Sequence, residues 1–431
     1  MIHEKSKDDH VERYHLLPFG FFHVKKFVMR RVIIGAAIYV CLVLVILGAL
    51  CCGKKSNSGL HAVDSFEGAT LYQTTNRSFY VVSLSGDYHE MGRQYGKLLS
   101  SQMRGLYNEV IRQFDAQLGV GASTKLITFC TTTIKLYPDN MKTILDGEAE
   151  TSGLTVDEIA VINEFFSYTL TLDYDAVASN VNTEHCAAIT AWGDYTVGSQ
   201  TIMGRDFDFP TLYKNFDPYV TVVAFNSSDG STPTAVITYA GQVGAIQAFN
   251  KAGLVVENND GSSCGDTNRY FDQRASLLPT MLQYMLGSAS IANLNTQLLA
   301  NQVTYPLIYN AANSDQAYCY ESATTEVKRR ESQGLLVATN HFLNPDWTGL
   351  PTPYEDSVLR YNNLVNMGTQ AKGKLDAAGM MSILDTNIED GGATSSDTIY
   401  QFVAIPATLT WWLKAPGYSD WTQVDLTLLF K

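Results

Sequence analysis

The sequence is poor in histidine and cysteine, the side chains that hold most structural and catalytic zinc ions. It has eight histidines and seven cysteines in 431 residues, with no His-Glu-x-x-His motif and no Cys-x-x-Cys pair. We therefore expect no metal site. No Gly-x-Ser-x-Gly elbow, Walker loop or Gly-x-Gly-x-x-Gly turn lies at a predicted junction between a strand and a helix. These absences exclude the commonest serine-hydrolase and nucleotide-binding designs.

Basic residues are also scarce. Lysine and arginine number 30 against 43 acidic residues, which gives a formal net charge of −13. Phosphate recognition needs clustered lysine and arginine, so nucleic acid is excluded as the expected partner. Charged residues make up 17% of the chain and hydrophobic residues 45%. This composition predicts a substantial folded core rather than long disordered segments.

One uncharged hydrophobic run stands near the N-terminus. Residues 32–52 form 21 consecutive uncharged positions, directly after the basic stretch HVKKFVMRR. About 20 apolar residues span a bilayer, and a basic flank stays on the cytoplasmic side. We predict a cytoplasmic tail at 1–31 and a transmembrane signal anchor at 32–52, with a cleaved signal peptide as the alternative. Either places residues 60–431 outside the cytosol, in an extracellular or lumenal location.

Two further features bear on that location. The Asn-x-Ser triplets at Asn76 and Asn226 fit a protein outside the cytosol. Beyond the membrane segment the cysteines are too few for a disulfide scaffold, and we expect one or two disulfides at most. These cysteines are Cys130, Cys186, Cys264 and Cys319.

The character of the chain changes near residue 186. Residues 53–60 read as a linker, and residues 61–185 as a helical segment that follows one early strand. In that segment Tyr88–Phe114 has continuous helical spacing, and Thr155 with Glu158 forms a capping-box pattern. From residue 186 onward, short Val/Ile/aromatic-rich strands alternate with turns and two helical blocks. Strands and helices are segregated, which predicts an α+β fold with antiparallel sheets.

The cysteine at this change, in the stretch NTEHCAAITAW, is a candidate nucleophile. A thiol needs a base that titrates near neutral pH. His341 is the only histidine downstream of Cys186, so a papain-like order of cysteine then histidine is available. The Cys-Gly-Ser-Cys-Trp signature of papain-like cysteines is absent.

A second route activates the thiol without histidine. An α-amino group has a pKa of about 7.7–8.0, roughly 2.5 units below that of a lysine amine. If the chain breaks between His185 and Cys186, the new amine lies on the same residue as the thiol and can act as its general base. A helical segment that ends in a polar run, followed by a strand, suits such a break.

Several stretches together resemble a known family. CAAITAWGDYTVGSQTIMGRDFDF, FNKAGLVVENN, VATNHF and WWLKAPG occur in order, after GDYHEMGRQYG and SGLTVDEIAVIN. The sequence resembles self-cleaving N-terminal-nucleophile (Ntn) cysteine amidohydrolases, more narrowly the penicillin acyl-CoA acyltransferase type. Choloylglycine hydrolases and acid ceramidase-type amidases are more distant relatives. The resemblance covers most of residues 78–425.

The resemblance implies a role for each matching residue. Cys186 would supply both thiol and amine, and Arg205 would lie beside the thiol. Asp208, which keeps an Arg-x-x-Asp spacing with Arg205, would hold the α-amine. Asn259, with Asn258 as the neighbouring alternative, would bind the oxyanion, and Asn340 would hold the amine or a polar group of the substrate. Arg360 lies near the position of a further family arginine.

The sequence departs from the family pattern at two positions. Asp206 stands where asparagine is common, and His185 stands where glycine often precedes the cysteine. The second change predicts slower self-cleavage, because glycine accepts a strained backbone more easily.

The resemblance implies an αββα four-layer sandwich at 186–431, with 61–185 as the α-chain of a heterodimer cut from one precursor. It implies no cofactor and a small amide substrate, such as an N-acyl amino acid, a lipid amide or a short peptide. The enzyme would hydrolyse a linear amide, or transfer its acyl group, through a thioester on Cys186. The alternatives are a papain-like Cys186/His341 hydrolase and a non-enzymatic, membrane-tethered binding ectodomain.

Overall fold

A computed structural model describes residues 59–177, 186–244 and 246–431. The predicted tail at 1–31, the predicted anchor at 32–52 and His185 lie outside the described residues. Within the described ranges, no helix has the length and apolarity needed to cross a bilayer.

The helices and strands alternate along the chain in blocks. The helices are α1 (Tyr88–Leu98), α2 (Ser100–Leu118), α3 (Ala122–Thr133), α4 (Asp139–Ser152), α5 (Val156–Val177), α6 (Leu277–Leu286), α7 (Ile291–Leu299), α8 (Glu355–Gln370) and α9 (Ala377–Leu384). The strands are β1 (Leu60–Phe66), β2 (Ala69–Thr74), β3 (Tyr80–Gly86), β4 (Ala187–Ala191), β5 (Ile202–Asp208), β6 (Val220–Ser227), β7 (Thr234–Tyr239), β8 (Gln247–Asn250), β9 (Val255–Asp260), β10 (Leu307–Ala312), β11 (Ala317–Ser322), β12 (Val327–Arg330), β13 (Leu335–Ala338), β14 (Thr398–Ile405), β15 (Thr410–Ala415) and β16 (Ser419–Asp425).

The strands form two sheets. The larger sheet has ten strands in the order β1-β2-β3-β6-β7-β8-β9-β10-β11-β12, and the smaller has six in the order β13-β4-β5-β14-β15-β16. Neighbouring strands are antiparallel except β3 and β6, which run parallel. The predicted mixture of helices with largely antiparallel sheets is confirmed.

The two sheets pack face to face, and helices cover their outer faces. The rings of Phe249 on β8 and Trp411 on β15 meet across the interface at 5.6 Å. Helix α6 packs on β7 and β8 of the larger sheet, while α8 and α9 pack on β4, β5, β13 and β14 of the smaller one. Gly204 on β5 permits a close approach of α9, because a Cβ there would lie 2.9 Å from the Met380 side chain. The result is four layers, with the sheets in the middle.

The segment before Cys186 is less helical than predicted. Its described residues, 59–177, contribute three strands rather than one, and β3 continues the large sheet through its parallel pairing with β6. Strand β1 begins at Leu60, the last residue of the predicted linker. Five of its seven residues are exposed, as befits an edge strand, so it lacks the apolar alternation that reveals a strand.

The helix predictions met mixed outcomes. The continuous helix predicted over Tyr88–Phe114 is broken at Leu99 into α1 and α2. The capping box at the start of α5 is confirmed: the Thr155 amide donates to Glu158 Oε2 at 2.8 Å, and the Glu158 amide donates to Thr155 Oγ1 at 3.3 Å.

The two Asn-x-Ser triplets differ in their exposure to solvent. Asn76 is exposed in the β2–β3 turn. Asn226 is buried in β6, where its amide donates to the carbonyls of Leu84 and Leu429, so it is not accessible for glycosylation in the folded protein. No disulfide joins the four cysteines in the described part of the chain. The one or two disulfides that the sequence allowed therefore do not form among these cysteines.

Candidate active site

Cys186 lies directly before β4, in the interior of the smaller sheet. Its side chain is buried, and its thiol donates to the Asp208 carbonyl at 3.4 Å. Arg205 Nη2 donates to Cys186 Sγ at 3.4 Å, and Arg360 Nη1 donates to the Cys186 carbonyl oxygen at 2.8 Å. Two guanidinium groups therefore contact the sulfur and the backbone of one residue. A cation beside a thiol favours the thiolate form.

Arg205 is held firmly in this position. It extends from β5 across the sheet interface and is 1% exposed. Its Nε lies 2.7 Å from Glu257 Oε2, its Nη1 donates to Gln247 Oε1 at 3.1 Å, and its Nη2 donates to the Asn258 carbonyl at 2.5 Å. With its donors committed to fixed acceptors, the guanidinium has one orientation, and that orientation places Nη2 on the thiol.

Burial and electrostatic attraction have opposite effects on the pKa values of Arg205 and Glu257. Burial alone would lower the pKa of Arg205, but attraction to Cys186 and Glu257 raises it. Burial raises the pKa of Glu257 to about 6, although Arg205 pulls it down. Arg205 therefore keeps its charge, whereas Glu257 loses its charge as the pH falls through about 6.

A second arginine organises the other side of Cys186. Arg360, on α8, is fully buried, and its Nη2 donates to Asn340 Oδ1 at 3.0 Å. Its Nε donates to Asp356 Oδ2 at 2.8 Å. The Asn340 amide in turn donates to the Asp260 carbonyl at 3.2 Å. Arg360 thus connects the Asn340 side chain to the Cys186 backbone, because it donates to both.

The two adjacent asparagines on β9 point to opposite sides of their strand. Asn259 is buried and donates to the carbonyls of Ala338 and Thr339, both at 3.3 Å. Asn258 donates to the Ile246 carbonyl at 2.6 Å and lines the cavity at Cys186. The oxyanion role of Asn259 stays a prediction, and of the two asparagines Asn258 is the one that lines the cavity.

The cavity beside the thiol is small. It has a volume of about 10 Å³, far below the roughly 300–1,000 Å³ of most ligand pockets. Phe166 and Leu170 of α5 form part of its wall, so residues from before Cys186 help to enclose the nucleophile. The other lining residues are Cys186, Arg205, Phe207, Phe209, Ile246, Asn258, Asp260 and Tyr305.

His341 has a different environment from that of a catalytic base. Its Nδ1 lies 2.7 Å from Ser357 Oγ and 3.2 Å from Thr339 Oγ1. Burial, with the nearby charges of Arg330 and Arg360, lowers the pKa of His341 to about 4. An imidazole with this pKa is a weak proton acceptor at neutral pH.

Sequence reasoning missed the residues that hold Arg205. Glu257 and Gln247 come from the opposite sheet, and the Gln247 amide also donates to the Tyr400 hydroxyl at 2.5 Å. Such contacts join positions far apart in the chain and leave no local motif. In the described residues, no group of three or more histidine, cysteine or acidic side chains could hold a metal ion.

Comparisons with known proteins give only distant matches. No protein-family model matches the chain, and no curated protein matches it significantly. Solved structures that resemble it include an N-acylethanolamine-hydrolyzing acid amidase (NAAA) ortholog from Caenorhabditis elegans, with 16% identity over 54% of this chain and 95% of that chain and a TM-score of 0.38. Penicillin V acylase from Agrobacterium tumefaciens has 13% identity, 57% and 88% coverage and a TM-score of 0.39. A mutant of conjugated bile acid hydrolase from Clostridium perfringens has 9% identity, 56% and 93% coverage and a TM-score of 0.38. TM-scores below 0.5 do not establish a shared fold, so the functional inference rests on the residues of the site.

Proposed function

We propose that this chain is a self-processing Ntn cysteine hydrolase of the penicillin acyl-CoA acyltransferase type, which cleaves a linear amide through a thioester on Cys186. The observation that carries the proposal is the contact of Arg205 Nη2 with the Cys186 thiol at the N-terminal end of β4. The bond from Arg360 to the Cys186 carbonyl supports it, because it fixes the backbone that would bear the new amine. Cleavage between His185 and Cys186 gives an α-chain and a β-chain that remain associated through the β3–β6 pairing.

The proposed reaction needs no group beyond the protein and water. Cys186 Sγ attacks the amide carbonyl carbon while its proton passes to the α-amine, and an asparagine amide stabilises the oxyanion. The C–N bond then breaks as the ammonium returns the proton to the leaving amine, which leaves a thioester. Water, or another acyl acceptor, attacks the thioester and gives its proton to the amine. The C–S bond then breaks, the ammonium returns the proton to sulfur, and the acyl product leaves with the thiol restored.

The substrate class and the location are part of this proposal. The substrate is a small amide, such as an N-acyl amino acid, a lipid amide or a short peptide. The segment 32–52 tethers the protein to the membrane, or is removed on secretion, with the catalytic part outside the cytosol. The apolar rings of Phe207 and Phe209 in the cavity wall favour an apolar acyl group next to the scissile bond.

The papain-like alternative is disfavoured by His341. A thiolate–imidazolium pair requires a histidine that binds a proton near neutral pH, whereas the pKa of His341 is lowered to about 4. The non-enzymatic alternative does not account for two buried arginines directed at one cysteine.

The test is hydrolysis of a panel of N-acyl amides by purified protein, with trapped acyl-enzyme located by mass spectrometry. We expect turnover and an acyl adduct on Cys186 in the wild type, and neither in Cys186→Ala. Cys319→Ala is the matched control, since Cys319 is also buried and also accepts a bond from an arginine, Arg330 Nη2 at 3.5 Å. Equal activity in the wild type and Cys186→Ala would refute the proposal. Loss of activity in His341→Ala, with the chain uncut, would favour the papain-like alternative.

A further inference from the structure

Asp206 is a buried carboxyl group next to the proposed machinery, with no role assigned so far. It lies on β5 between Arg205 and Phe207 and is fully buried. Because side chains alternate along a strand, Asp206 shares a face of β5 with Asp208, and Arg205 lies on the other face. That face is covered by α9, whose C-terminal residue is Leu384.

The polar contacts around Asp206 outnumber the hydrogens that Gln401 and Thr394 carry. Gln401 Nε2 donates to Asp206 Oδ1 at 2.8 Å and to the Leu384 carbonyl at 2.6 Å, and it also lies 3.1 Å from Thr394 Oγ1, so its two hydrogens serve three acceptors. The Thr394 hydroxyl has one hydrogen, and it also contacts the Leu384 carbonyl. Thr394 Oγ1 lies 3.2 Å from Asp206 Oδ2. A proton on Oδ2 completes this contact, with Asp206 as the donor and Thr394 as the acceptor.

Burial and the neighbouring carboxylate point the same way. Two carboxylates close together on one buried face do not readily ionise together. Burial first, and then the neighbouring Asp208, raise the pKa of Asp206 well above its usual range. The positive charge of Arg360 on α8 acts in the opposite direction and lowers the pKa of Asp206, but it does not outweigh burial and Asp208. The Arg360 guanidinium also donates to Asp356, Asn340 and the Cys186 carbonyl.

We propose that Asp206 is a neutral carboxylic acid that donates through Oδ2 to the Thr394 hydroxyl and leaves Asp208 as the only carboxylate on this face of β5. Asp206 is a positioning residue: it fixes β5 against β14 and α9 without adding a second negative charge near the Cys186 amine. The consequence for the amine rests on the proposed function, because it assumes that Asp208 holds that amine. The protonation state of Asp206 itself does not.

The first test needs no substrate. Infrared difference spectra of the full-length protein at neutral pH, wild type against Asp206→Asn, should show the loss of a protonated-carboxyl band. Asp194→Asn is the control, since Asp194 is exposed and its substitution should remove a carboxylate band instead. Loss of only carboxylate bands in Asp206→Asn would overturn the proposal, whether or not the protein hydrolyses amides.

The second test reads the consequence for catalysis. Asparagine can donate to Thr394 and accept from Gln401, as the neutral acid does, so Asp206→Asn should keep kcat/KM within about threefold and leave the acid limb of the pH profile in place. Asp206→Ala removes both bonds and should lower kcat/KM about tenfold or more. A downward shift of the acid limb by about half a pH unit or more in Asp206→Asn would mean that a negative charge had been removed, which contradicts the proposal.

Discussion

The buried charge of Glu257 should lower the free energy of unfolding and, at the same time, hold Arg205 against the Cys186 thiol. Glu257 is fully buried, with one oxygen 2.7 Å from Arg205 Nε and the other bound by the Asn310 amide. Glu257→Gln keeps an acceptor for Asn310 and removes the charge that orients Arg205. The variant therefore separates two effects of the buried charge, its destabilisation of the fold and its orientation of Arg205 at the Cys186 thiol.

The magnitude follows from the pKa of Glu257. A carboxyl whose pKa is higher in the folded protein than in the unfolded chain stabilises the fold while it is protonated, and that stabilisation is lost as the pH rises. The pKa of Glu257 is about 6 against a usual value of 4.5, a difference of about 1.5 units. At 1.36 kcal/mol per unit this corresponds to about 2 kcal/mol. Between about pH 4 and pH 7, the wild type should lose about 2 kcal/mol of unfolding free energy relative to Glu257→Gln.

The measurement is urea unfolding of both proteins at intervals over this pH range. The exposed Gln117→Asn variant, which changes no titratable group, is the control, and its difference from the wild type should stay nearly constant. Alkylation of Cys186, followed by mass spectrometry, should show the opposite trend, with the wild type more reactive than Glu257→Gln above about pH 6. A difference in unfolding free energy that does not change with pH, or that changes in the other direction, would refute this reasoning.

Three further predictions concern two positions in the site and one buried carboxyl group outside it. Arg205→Lys keeps the charge but loses the planar set of donors, so thiol alkylation and kcat/KM should fall by about 10²-fold, as read in parallel assays; unchanged values would mean that the orientation of Arg205 is unimportant. Asn258→Ala should lower kcat by about 10²–10³-fold with little change in KM, whereas Asn259→Ala should mainly lower the unfolding free energy, and the reverse result would restore Asn259 as the oxyanion donor. Glu148 is fully buried, and neither of its carboxylate oxygens is hydrogen-bonded. Burial raises the pKa of Glu148 well above the usual range. The Tm of the wild type should therefore fall relative to that of Glu148→Gln as the pH rises from about 5 to 8. A Tm difference that stays constant with pH would contradict the last prediction.

Elements of the fold that have a local sequence pattern could be predicted. The Thr155–Glu158 capping box lies within four residues, and α5 begins there. The Arg-x-x-Asp spacing in GRDFDF brings Arg205 and the Asp208 backbone to Cys186, because β4 and β5 are adjacent antiparallel strands. The resemblance implied the contact of Arg205 with the thiol, whereas the contact of the Asp208 carbonyl with the thiol was not predicted, and the catalytic roles remain proposals.

Other parts depend on distant contacts and could not be predicted. Glu257 meets Arg205 only because two sheets pack face to face, and no local pattern records that pairing. The choice between Asn258 and Asn259 depends on which face of β9 meets the cavity. Both faces of that strand are buried, so its sequence lacks the alternation of apolar and polar residues that would show which face meets the cavity.

The central claim is that Cys186 becomes the first residue of a mature chain. Intact-mass analysis with N-terminal sequencing of the purified wild type tests it most directly, with Cys186→Ala as the uncleaved reference. We expect two chains in the wild type, one beginning at Cys186, and a single uncut chain in Cys186→Ala. A wild-type protein that remains one chain while it hydrolyses amides would contradict it.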